Sequence, residues 1–145
     1  MAPDQDFHLG EGGVETARNV FAAVIGDFVP PDRKPDEDHL VREFERYVGE
    51  LPSLYQTGLV WILRAIEMAP LAMGHRRQFS NLPREDQVKV LEAFENSNNY
   101  VQRGVLLGIK TAVVVLFFSE PGMEEALGYD HRCLADVREA RRESA

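Results

Sequence analysis

The side chains best able to do chemistry in this chain are four histidines and one cysteine. His8, His39, His75 and His131 fall in separate segments, and none pairs with another at a metal-ligand spacing. Asp36-x-x-His39 has the carboxylate-x-x-His spacing of di-iron bundles. Those sites need two such elements and further inward-facing glutamates, which are missing here. Cys133 stands beside Arg132 and near His131, where neighbouring cations could favour the thiolate, but no third group is placed to orient a base. A cryptic enzyme using His131 and Cys133 is therefore a minor reading. Gly10-Glu11-Gly12-Gly13 has a superficial likeness to a dinucleotide loop, yet Glu15 stands where the third glycine would be and no apolar strand precedes it. It reads as part of a flexible leader over 1–13. The chain has no phosphate loop ending in Lys-Ser or Lys-Thr and no serine elbow. These residues predict neither a catalytic site nor a metal or cofactor site in the chain itself.

The elements that would position such residues are helical. Val14, Ala17, Phe21, Val24, Ile25 and Phe28 recur at helical intervals, and Val29-Pro30-Pro31 stops that first helix. Leu40, Val41, Phe44, Tyr47, Val48 and Leu51 form the packing stripe of a second helix over about 37–50. Pro52 opens a third, which runs to about 68 and is apolar on most sides, so a central position is expected for it. Pro70 and Gly74 mark a kink and an end, before a basic connection containing His75, Arg76 and Arg77. A fourth helix starts at Pro83, with Glu85 and Asp86 in its first turn and a stripe of Val88, Leu91 and Phe94. The fifth, about 100–119, is the most apolar and reads as a buried helix. Along it Gly104, Gly108 and Ala112 make a groove of small residues for a close neighbour, either another helix of this domain or a second protein. A short helical turn is expected at 123–127, and 132–142 reads as a solvated surface helix. The expected fold is all-α: a single compact bundle of about five main helices plus short terminal helical segments, with a helical domain over 14–130 and a charged tail over 131–145.

Composition narrows the partners. A chain of 145 residues fits one domain with one core. A net charge of −8 argues against nucleic acid, whose affinity comes from clustered Lys and Arg. One cysteine rules out an internal disulfide and fits a reducing compartment, and no secretory signal is visible, so the expectation is a cytoplasmic location or, as the alternative, an export signal already removed. The apolar run 101–118 is broken by Gln102, Arg103 and Lys110, so no membrane span is expected.

Several short motifs in fixed order resemble one family. They are Phe79-Ser80-Asn81-Leu82-Pro83-Arg84-Glu85-Asp86, then Phe94-Glu95-Asn96-Ser97, then Arg103, then Ala126-Leu127-Gly128-Tyr129, preceded by Val29-Pro30 and Leu51-Pro52. In this order they resemble gluconate 2-dehydrogenase subunit 3, the small or gamma subunit of flavin-dependent dehydrogenases of the glucose-methanol-choline class. The resemblance covers most of 14–129. It implies a non-catalytic accessory subunit that stabilises or matures a large FAD-containing oxidoreductase acting on a sugar, polyol or alcohol, with the FAD in that partner. Motif position implies Phe79, Leu82, Arg103, Gly128 and Tyr129 as partner contacts. Trp61 joins them because aromatic side chains are favoured interface anchors. Each also has an internal reading: Phe79 and Leu82 could staple their helix to the core, Trp61 could be core, Gly128 a helix cap, and Arg103 the partner of an internal carboxylate. The chain departs from the family in showing no twin-arginine export signal, in having Glu124 where an aromatic residue is common, and in having Asp130-His131-Arg132 in place of a Gly-Pro. The alternative is a self-contained helical protein, homodimeric or monomeric, that binds a small apolar ligand or a regulatory partner.

Overall fold

In the computed structural model, residues 7–26, 32, 34 and 36–123 are described. They form an all-α bundle of five helices: α1 (Gly10–Ile25), α2 (Glu37–Gly49), α3 (Ser53–Ala72), α4 (Arg84–Glu95) and α5 (Tyr100–Phe118), with a short 3-10 turn at Phe79–Asn81 before α4. Among the described residues there is no strand.

Local chemistry sets the helix ends. The Asp36 side chain caps α2 by accepting from the Asp38 amide, and Asn99 caps α5 by accepting from Val101. Gly74, at φ +91°, ends α3: the His75 amide donates to the Pro70 carbonyl at 2.9 Å and the Gly74 amide to Leu71 at 3.3 Å. That pair of bonds requires a left-handed residue after the cap, which glycine accepts without strain. Pro70 does not end α3, which continues to Ala72. The segment 10–13, expected to be part of a leader, is instead the first turn of α1. Leu9 ahead of it is buried, and its amide donates to Glu45 at 2.8 Å. The Phe28 to Pro31 stop, the turn beyond Met123 and the tail lie outside the described residues.

The core differs from the periodicity reading in which helix is central. α1 packs against every other helix, whereas α3 and α5 scarcely touch each other. Ala17, Val20 and Phe21 of α1 are fully buried, and Phe21 meets Phe44 of α2 edge-to-face with ring centroids 5.1 Å apart. α3 buries only Leu63, Ile66 and Pro70. α5 buries only Leu106, Ile109, Val113 and Phe117, and 22% of its most apolar window is buried, so it is not the buried helix that its composition predicts. By length and composition α5 could cross a membrane, a test that core helices of soluble proteins also pass.

Polar ties hold the bundle's seams. Gln87 of α4, fully buried, donates to the Phe79 carbonyl at 2.9 Å and to Asn19 Oδ1 at 3.0 Å, and accepts from Arg84 at 2.8 Å. The buried stripe of α4 is thus Gln87, Val90 and Leu91, in place of Val88, Leu91 and Phe94. Glu67 of α3 accepts from Thr16 Oγ1 at 2.8 Å and Ser80 Oγ at 2.7 Å, which joins α1, α3 and the 3-10 turn. Arg18 bonds Asp38 and Glu15, and its pKa is raised, first by the hydrogen bond to Asp38.

Candidate functional site

An open apolar groove of about 690 Å³ lies between α2, α3 and α5. Its existence follows from the packing: α2 contacts both α3 and α5, but α3 and α5 do not close over it. Phe44 and Val48 come from α2, Leu51 from the bend that follows it, Leu54, Tyr55, Gly58 and Ile62 from α3, and Gly104, Gly108, Ala112 and Val115 from α5. Tyr55 is 64% exposed, Leu107 65% and Val115 59%. Globular surfaces seldom leave so many large apolar groups together in water, because each costs transfer free energy that burial would recover.

The small-residue stripe of α5 opens onto this groove. A Cβ placed on Gly104 or Gly108 would meet nothing within 4 Å, and the same holds for Gly58 on the facing wall. No helix within the described residues uses the space that these glycines provide. Of the two occupants left open by the sequence, the intramolecular one is absent among the described residues.

The groove carries hydroxyls at Tyr47, Tyr55 and Thr111 and no lysine or arginine among its lining residues. None of these residues is a cation that would meet the phosphates of a dinucleotide such as FAD. Among the described residues no group of three or more His, Cys, Asp or Glu could hold a metal. Asp36 is occupied as the α2 cap, and His39 Nε2 lies 3.2 Å from Glu120, which ties the start of α2 to the end of α5.

Of the expected partner contacts, Trp61, Phe79, Leu82 and Arg103 lie among the described residues. Trp61 is 64% exposed on α3, with Arg64 5.7 Å from its ring centroid, and is not core. Phe79 is 0% exposed and packs the 3-10 turn against the core, the internal one of its two readings. Leu82 is partly buried against the same core. Arg103 is exposed and donates to the Ser97 carbonyl at 2.6 Å, so its partner is a backbone oxygen and not a carboxylate. Gly128, Tyr129, His131 and Cys133 lie outside the described residues. Tyr47, Leu51, Leu54 and Tyr55, assigned by periodicity to packing faces or left unremarked, are the groove residues that sequence reasoning missed. Their spacing is that of core residues, so the Gly104-Gly108 pair was the one sequence feature pointing to this place.

Compared with known protein families, with curated proteins and with solved structures, the chain matches none.

Proposed function

We propose that the chain is an accessory small subunit that docks, through the groove between α2, α3 and α5, onto a large FAD-dependent oxidoreductase of the glucose-methanol-choline class and stabilises or matures it. The observation that carries this reading is the groove itself, apolar, open and floored by glycines whose space no described helix fills. A helix of the partner laid against Gly104 and Gly108 would approach α5 closely and cover the exposed leucine, valine and tyrosine side chains. The motif order from Phe79 to Tyr129 supports the choice of partner class, and a groove without cations is consistent with FAD belonging to the large subunit. The oxidation of the sugar, polyol or alcohol would then take place on the partner.

The test is affinity purification of the tagged chain from its native host, with the visible absorption of oxidised flavin read in the eluate. A stoichiometric large flavoprotein is expected, and Gly108→Leu, which fills the groove, should release it. A colourless eluate containing this chain alone refutes the reading.

A second reading rests on the groove's volume, which lies within the range of small-ligand sites. A self-contained protein, monomeric or dimeric, would bind an apolar small molecule there. Native mass spectrometry of the purified chain decides for it if a small apolar molecule is retained by the wild type and lost in Gly108→Leu.

A further inference from the structure

A second surface runs along α3 and continues past its end. The exposed positions Trp61, Arg64, Ala65, Met68, Leu71 and Ala72 fall at helical steps and share one face. The face does not stop with the helix. Gln78 Nε2 reaches Met68 Sδ at 3.5 Å, and Leu71 shares a cleft with Arg76, Arg77, Gln78 and Asn81. Neither Arg76 nor Arg77 forms an ion pair among the described residues. The carboxylate of α3 itself, Glu67, is turned inward onto Thr16 and Ser80 and neutralises none of these cations.

The charge distribution is uneven. Residues 51–84 hold Arg64, Arg76, Arg77 and Arg84 against Glu67, a net +3 in a chain of net −8, so the remainder carries −11. An exposed tryptophan with an arginine over its ring, a thioether, a leucine and two unpaired guanidinium groups thus stand together on an acidic protein.

We propose that this face docks an acidic amphipathic helix of a partner protein. Its apolar side would lie on Trp61, Met68 and Leu71, and its carboxylates would meet Arg64, Arg76 and Arg77. Tryptophan and arginine are the side chains most enriched among interface anchors. The planar guanidinium fork matches a carboxylate with two parallel hydrogen bonds. An anionic bilayer offers the same two chemistries, but it extends beyond the patch and also faces the acidic remainder of the chain. A single helix meets only the cationic face. This inference uses a different surface from the flavoprotein reading and stands or falls without it.

Trp61 is the only tryptophan, so its fluorescence reports the face directly. The full chain is titrated with an amphipathic peptide of leucine and glutamate of about 18 residues, five helical turns. The matched leucine and lysine peptide and vesicles of phosphatidylserine with phosphatidylcholine are titrated in parallel. A saturable blue shift is expected with the glutamate peptide, weakening as salt rises. Binding should be about tenfold weaker or more for the lysine peptide and for R76E/R77E, whose exposed side chains leave the circular dichroism unchanged. Absence of a shift with the glutamate peptide, equal binding of both peptides, or a larger shift with the vesicles than with the peptide each overturns the proposal.

Discussion

Replacing Gly104 and Gly108 together with alanine should stabilise the free chain and weaken its docking. Both glycines lie in the interior of α5, where glycine costs roughly 0.8–1 kcal/mol relative to alanine through the entropy of the unfolded backbone. A Cβ at either position meets nothing within 4 Å, so no steric cost offsets the gain. The two together are worth about 1.6–2 kcal/mol, a rise in Tm of roughly 4–8 °C for a chain of this size. The same two methyl groups stand where a partner helix would make its closest approach. Overpacking there costs about 1–3 kcal/mol, or roughly five- to 150-fold in affinity. Differential scanning calorimetry of the purified chain measures the first effect, and the fraction of flavoprotein recovered with the tagged variant measures the second. A lower Tm would mean that the space beside the glycines is already filled. A higher Tm with undiminished recovery would mean that the stripe is not the docking contact, and would refute the use made of the groove.

Three further substitutions test the interior. Phe44→Ala removes the edge-to-face partner of Phe21 from the most buried seam and should cost about 3–5 kcal/mol in urea unfolding, enough to unfold a marginal domain. Gln87→Leu deletes buried hydrogen bonds to Asn19 and Phe79 and should cost about 1–3 kcal/mol; a neutral result would show that the tie between α1 and α4 is dispensable. Glu67→Ala leaves Thr16 and Ser80 without their shared acceptor, so amide hydrogen exchange should speed up in the 3-10 turn before it does in α2.

The sequence by itself determined the secondary structure and most helix ends, because these depend on neighbours along the chain. Asp36, Asn99 and Gly74 cap through contacts within a few residues, and the apolar spacing of α2 reads as one stripe whatever it packs against. The first turn of α1 escaped that reading because its glycines hide a segment held by Leu9 and Glu45, a contact across 36 positions.

Which helix became central was decided only in three dimensions. α3 and α5 are the most apolar segments, yet a bundle has one axis, and α1 took it because its small and aromatic residues, Ala17 and Phe21, let four helices pack around it. The surplus apolar surface of α3 and α5 was then left facing outward, and the space between them became the groove. Periodicity tells which residues share a face, but whether that face meets a neighbour depends on the relative placement of helices far apart in the chain. For the same reason Gln87 became core and Tyr47 did not, although composition alone ranks them the other way.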